Sequence, residues 1–334
     1  MYKFHDFDPR DPAIESAGVY DRGTLYEDFN LQRLLDQHAD RHCQLLDRDS
    51  QAVARCSLWW NKAPEYRDYR VGLIGHFAAA DRHSGTQLLS RACALLRTHA
   101  CHYAIGPIDG STWHHYRLVT EPGDEPAFFL EPHNPACWPD CFTTAGFEVL
   151  ARYFSALVTD LTRPDPRIAP ALSRLQQQGI RLRPLRLERF DQELEAIYDI
   201  SVQSFTGNFL YTPISRQAFK LQYQAIKSCV EPGLTLLAEH ENNAVGFVFS
   251  LPDQEQRSRQ QPIDTVIIKT VAVLPGRRYA GLGTVLVAEA QRLAGQSGYR
   301  RVIHALMHEH NRSRNISRHY GKPIRHYALF GRKL

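Results

Sequence analysis

The run Ile263 to Leu274 is long, rich in β-branched residues and ended by Pro275, which reads as a strand. A glycine-rich turn, Gly276 to Gly283, follows at once and opens a helix with apolar positions Leu282, Val285, Leu286 and Leu293. That helix ends at Gly295 or Gly298, and Val302 to Met307 is the next strand. A strand feeding a helix through so tight a turn restricts the chain to layered folds in which helices cover a sheet. The turn also has chemical meaning. Gly281 and Gly283 let the backbone approach a ligand closely, and the first-turn amides behind them converge with a partial positive charge. Such a helix start suits a pyrophosphate. Two common phosphate motifs are excluded: the third glycine of a dinucleotide fingerprint would fall at Leu286, and no Gly-Lys-Ser/Thr follows.

The same plan occurs about 200 residues earlier. Gln44 to Leu46 and Ala52 to Trp60 flank the turn Arg48-Asp49-Ser50, and Arg70 to Ala79 is a strand running into Asp81-Arg82-His83-Ser84-Gly85. A helix with Leu88, Leu89, Ala92, Leu95 and Leu96 at helical spacing follows, then the strand Tyr103 to Ile105. Between the two copies lies Thr162-Arg163-Pro164-Asp165-Pro166-Arg167, a polar helix-like stretch to Gln178, and Gly179. We therefore divide the 334 residues into 1–162, a linker 163–179, and 180–334. In the second part Ile180 to Leu187 reads as a strand, and Asp191 to Ser204 and Ser215 to Ser228 as helices. Leu234 to Glu239 and Ala244 to Ser250 read as a hairpin joined at Glu241-Asn242-Asn243. Arg312 to Tyr320 reads as a short helix and Ile324 to Phe330 as a last strand.

Composition narrows the class. With 43% hydrophobic and 23% charged residues, the chain can bury a core. Its apolar runs are far shorter than the roughly 20 residues of a membrane-spanning helix. The opening residues carry no signal-peptide apolar stretch, and seven irregularly spaced cysteines are no disulfide framework, so a cytoplasmic protein is expected. Charge is uneven: Arg300 to Leu334 holds nine basic residues and one acid, which points to a polyanion, either a phosphorylated small molecule or a nucleic acid.

Arg278-x-x-Gly281-x-Gly283, after a strand ending in Val-x-Pro, resembles the acetyl-coenzyme A signature of the Gcn5-related N-acetyltransferases (GNAT). The resemblance covers roughly Arg181 to Leu334 and, more loosely, the first part. It implies an α/β (α+β) fold of two tandem GNAT-like domains, each a mixed central β-sheet flanked by helices. It further implies that Val271, Ala272 and Val273 offer backbone groups to the pantetheine arm of acetyl-CoA or another acyl-CoA. The turn Arg278, Tyr279, Ala280, Gly281, Leu282, Gly283 and Thr284 would hold the pyrophosphate. An Asn after the next strand, Asn311 or Asn315, and a Tyr that protonates the departing thiolate, Tyr320, complete the family pattern. A phenol suits that task, because its pKa near 10 keeps it protonated at neutral pH. Tyr327 is the substitute. Asn311 and Tyr320 stand nine positions apart, where the family has seven.

A base must also take a proton from the attacking ammonium. Glu239, ending a strand, and His304, inside one, are the candidates. The first copy departs from the signature. Gln87 stands where its second small residue belongs, and Phe142 stands where a tyrosine would. It reads as a degenerate copy that shapes the acceptor side, with Trp59, Trp60, Trp113, His114, His115 and Tyr116 as candidate lining. His133, Cys137 and Cys141 have spacing that suggests a metal, but Pro132, Pro135 and Pro139 break the helix that would align them, so no metal is expected. The expected activity is acyl transfer from coenzyme A to a primary amine of a small molecule or protein in a ternary complex. The alternatives are an aminoacyl-tRNA-dependent transferase of the same fold and a non-catalytic acyl-CoA sensor or scaffold. Acceptor choice would lie in Phe205 to Tyr211, Pro252 to Gln261 and the first part.

Overall fold

A computed structural model describes residues 2–11, 25, 31–310 and 319–334. In the first half the elements are β1 (Lys3–Phe7), α1 (Leu31–Asp36), β2 (Arg41–Leu46), β3 (Ala52–Trp59), β4 (Val71–Ala79), α2 (Arg82–Thr98), β5 (Tyr103–Gly106), β6 (Leu118–Glu121), α3 (Trp138–Thr144) and β7 (Glu148–Val158). The helix α4 (Ile168–Gln177) lies within the segment read as linker. The second half continues with β8 (Ile180–Pro184), α5 (Phe190–Ser204), α6 (Arg216–Gln224), β9 (Leu236–His240), β10 (Asn243–Pro252) and α7 (Gln254–Ser258). It ends with β11 (Thr265–Val273), α8 (Leu282–Gln296), β12 (Arg301–His308) and β13 (Lys322–Lys333).

The strands form one mixed sheet in the order β1-β2-β3-β4-β5-β13-β7-β12-β11-β10-β9-β8, with β6 also on β13. The two halves repeat one plan, since β4 runs parallel to β5 across α2, and β11 runs parallel to β12 across α8. Their last strands are exchanged: β7 of the first half pairs with β12, and β13 of the second pairs with β5. β7 and β13 pair with each other from Lys322↔Leu157 to Gly331↔Glu148 at the centre of the sheet. Neither half therefore completes its sheet alone.

Side-chain alternation assigns the two faces. Val158 of β7 packs in the core under α8, with Leu282, Val285, Leu286 and Ala290. Ala328, paired with Arg152 on the same face of β7, packs under α2 with Leu88, Leu89, Ala92 and Leu96. Both long crossover helices thus cover one face. The other face is covered by α5 and α6, where Leu194, Ile197 and Phe219 meet Phe247 and Phe249. Each such fully buried apolar side chain contributes roughly 1.5–3 kcal/mol. Glu241 and Asn242, at φ +51° and +64°, make the turn between β9 and β10. Both residues of a two-residue hairpin turn of this kind need positive φ.

Candidate acyl-donor and acceptor site

The register of β11 and β12 covers Thr265–Ile268 against Arg301–His304 and stops there. β11 runs on to Val273 and β12 to His308, so the two strands part after the Ile268↔His304 rung. β12 is bulged between His304 and Met307, where Leu306 sits at φ +56°, and this turns it further from a straight ladder. On its other side, β11 stays paired to β10 through Val271, Ala272 and Val273. The Val273 carbonyl accepts from Ser204 Oγ at 2.9 Å.

Beyond β11, Arg277–Tyr279 make a short helical turn and Gly281 caps α8 at φ +83°. A residue with a side chain there costs roughly 1–2 kcal/mol in the left-handed region. No side chain caps this helix start and its first turn carries no acid. Leu282 is fully buried and anchors the turn, while Arg278, Ala280 and Gly281 are exposed. Tyr279 and Thr284 are half-buried. A Cβ built on Gly283 would meet Val271 and Val273 only at 3.8 Å, so the chain's own packing does not demand glycine there. Close approach by a ligand would. Arg174 of α4 reaches over the turn, where its guanidinium donates to the Ala280 carbonyl. Its place over the turn depends on α4 packing on α8, which the sequence of residues 163–179 does not show.

The first-half counterpart is closed at both points. Asp81 caps α2, its carboxylate accepting from Ser84 N at 2.8 Å in a capping box, so an anion of the chain itself occupies the helix start. The parting of β4 from β5 is filled by Ile108 and Asp109. A Cβ on Gly75 would lie 2.2 Å from the Ile108 carbonyl oxygen, and Asp109 Oδ1 accepts from His76 N at 2.6 Å. These contacts give physical content to the reading of a degenerate copy, beyond Gln87 alone. Phe142 is buried, stacked on Phe330.

The candidate catalytic residues do not converge. His304 and Tyr320 lie on the α8 side, their ring centroids 6.4 Å apart. Burial lowers His304 to about 4, so its imidazole is neutral at pH 7. Tyr320 OH donates to Asp165 Oδ2 at 2.7 Å, and burial, then the Asp165 charge, raises its pKa. Asp165 is itself held below the usual carboxylate range, chiefly by Arg167. Glu239 lies on β9, two strands from the parting, with its carboxylate on Arg183 Nε at 2.7 Å. Tyr327 is buried between Ser155 and Glu131. Asn311, Asn315 and all but the last two residues of the helix expected from Arg312 to Tyr320 fall outside the described residues. Among the described residues no group of three His, Cys, Asp or Glu side chains is placed to hold a metal.

Sequence reasoning missed Lys269. Phe249 pairs with Thr270 and Ser250 with Ile268, so Lys269 is the extra residue of a bulge in β11. It is also the first residue beyond the last rung with β12. Its signal was a single charge inside an otherwise apolar strand. Trp113, Phe129 and Phe205 are half-buried against the α5–α6 core, with half-buried Tyr211 beside Trp113 and Phe209 beside Tyr66 and His308; Trp113 Nε1 donates to Thr212 O at 2.8 Å. Trp113 and Phe129 of the first half thus stand among aromatic residues of the second. Trp59 instead lies buried, donating to Gln37 O, and Trp60 stacks on His99.

Residues 194–320 match the model of the acetyltransferase (GNAT) family. A curated relative, the bacterial ceramide synthase of Caulobacter vibrioides, is 26% identical over 220 residues, 65% of this chain. The match spans only 57% of that relative's length. Solved structures share the fold. A GCN5-related N-acetyltransferase from Sphaerobacter thermophilus covers 99% of this chain and 95% of its own, with 14% identity and a TM-score of 0.50. Another, from Anabaena variabilis, covers 99% and 73% with 8% identity and a TM-score of 0.51. The GCN5-related glucosamine N-acetyltransferase region of a fungal GH3 β-N-acetylglucosaminidase covers 99% and 38%, with 15% identity and a TM-score of 0.54. Residues 194–320 thus match a GNAT acetyltransferase domain, and the chain as a whole, with its two repeated halves, has the fold of GNAT structures.

Proposed function

We propose that the chain transfers an acyl group from an acyl-CoA to a primary amine carried on a long apolar acceptor, by direct attack in a ternary complex. The observation that carries the donor half is the uncapped, acid-free start of α8 beside the parting of β11 and β12. There the amides of Leu282, Gly283 and Thr284 would bind the pyrophosphate, with Arg278 and Arg174 supplying charge. Backbone groups of β11 freed beyond Ile268 would hold the pantetheine arm. The coenzyme supplies an activated thioester. Tyr320, kept protonated by burial and by Asp165, holds a proton for the thiolate.

The acceptor half rests on the aromatic wall from Trp113, Phe129, Phe205, Phe209 and Tyr211, which suits an apolar chain more than a sugar or peptide. The name of the Caulobacter relative supports the same class, since a ceramide is an amide of a long-chain amine. The test is thiol release from acetyl-CoA and hexadecanoyl-CoA with dodecylamine, glucosamine or a peptide amine as acceptor. Turnover with dodecylamine above the other two is expected. Turnover with none would contradict the reading, and preference for the peptide or sugar would remove its acceptor half.

A further inference from the structure

We infer that Lys269 is the general base that takes the proton from the acceptor ammonium, an assignment that rests on the acyl-transfer reading above. Three placements carry it. Lys269 stands at the apex of the strand parting, the first residue of β11 past the rung Ile268↔His304. The bulge opposite Phe249 and Ser250 turns it out of the ladder. Its Nζ lies 5.5 Å from the centroid of the Tyr223 ring, on the α5–α6 side where the aromatic wall stands.

Its surroundings fit a base better than a fixed charge. The side chain is open to solvent, yet desolvation by the surrounding protein lowers its pKa from 10.5. Tyr223 faces it from α6, its own pKa pushed up to about 12 by burial, and so is neutral at pH 7. β10 faces it with Phe249 and Ser250. His304 of β12 points to the opposite, α8 face and is also neutral. Desolvation is the one cause of the Lys269 shift, and among the described residues no carboxylate holds the ammonium form. Glu239, by contrast, is committed to Arg183.

The proton balance is closed. The neutral Lys269 amine takes one proton from the acceptor R–NH3+, and the freed amine attacks the thioester carbonyl. The C–N bond forms and the C–S bond breaks. The second proton of the attacking nitrogen passes to the thiolate, directly or through Tyr320. Lys269 returns its proton to solvent, and the net reaction yields amide, free coenzyme A and one proton.

The test compares wild type with Lys269→Met and Lys269→Arg, using acetyl-CoA and dodecylamine. Calorimetry should show acetyl-CoA bound by all three within about twofold, since the donor turn is untouched. kcat should fall on the order of 10²-fold or more in both variants, and the acidic limb of the kcat/KM pH profile should vanish. Arginine keeps the charge but cannot deprotonate. Competitive labelling with acetic anhydride, read by peptide mass spectrometry, should give Lys269 a midpoint below 10.5 that coincides with that limb. Near-wild-type turnover in Lys269→Arg, or an acidic limb surviving in Lys269→Met, would overturn the assignment while leaving acyl transfer intact. A wild type that neither binds acetyl-CoA nor releases thiol would instead bring down the acyl-transfer reading, and the base with it.

Discussion

Replacing Gly281 by aspartate or by asparagine separates charge from shape at the proposed pyrophosphate turn. Both side chains enter the left-handed position at φ +83° and tolerate it better than most, so the backbone cost of about 1 kcal/mol is shared and cancels in the comparison. Neither is blocked, since a Cβ there meets Arg174 Nη2 at 3.4 Å and Ala171 Cβ at 3.9 Å. Only the aspartate adds a charge. At about 5 Å from a phosphate and an effective dielectric of about 20, two unit charges repel by about 3 kcal/mol. Screening at an exposed turn reduces this to about 1.5–3 kcal/mol. The aspartate would also draw Arg174 to itself, as Asp81 occupies the corresponding start of α2. Calorimetric titration of acetyl-CoA should therefore show Gly281→Asp binding about 10- to 150-fold more weakly than Gly281→Asn, with the gap narrowing as salt is raised. Equal affinities for the two variants would refute the placement of the phosphates at this turn.

Three further outcomes follow from named contacts. Tyr320→Phe should cut kcat on the order of 10²-fold while acyl-CoA affinity holds, and an unchanged kcat would remove Tyr320 as the thiolate's proton source. Gly75→Ala should destabilise the protein by about 1–3 kcal/mol, because its Cβ would fall 2.2 Å from the Ile108 oxygen; an unshifted Tm would contradict the filled first-half parting. His76 and His304, both lowered from 6.5 to about 4 by burial, take up protons in the unfolded chain before the folded one. Stability gained from keeping them neutral is thus present above 6.5 and lost as pH falls from there toward 4, by about 2 kcal/mol for each histidine at pH 5. Urea midpoints that do not fall between pH 7 and 5 would oppose this.

Much of the second half was legible because its elements announce themselves locally. The strand ended by Pro275, the glycine turn and the helix from Leu282 appear as β11, the cap at Gly281 and α8. The Glu241-Asn242-Asn243 turn is likewise local chemistry, borne out by positive φ. The exchange of β7 and β13 was not legible, since both strands keep the same alternation whichever half they complete and only the assembled sheet decides. Gly146 and the Pro164-Asp165-Pro166 passage bracket Glu148–Val158, but nothing local to them says which half's sheet the strand completes. At the site, the donor turn could be read from glycines and spacing. Arg174 and Lys269 could not, because their importance depends on α4 packing on α8 and on a one-residue bulge in β11.

We propose that the second half keeps an open acyl-CoA site, whereas the first has closed its own with Asp81, Ile108 and Asp109. Calorimetric stoichiometry of acetyl-CoA on the wild-type chain tests this directly. The account predicts one molecule bound per chain, and a stoichiometry of two, or no binding, would contradict it.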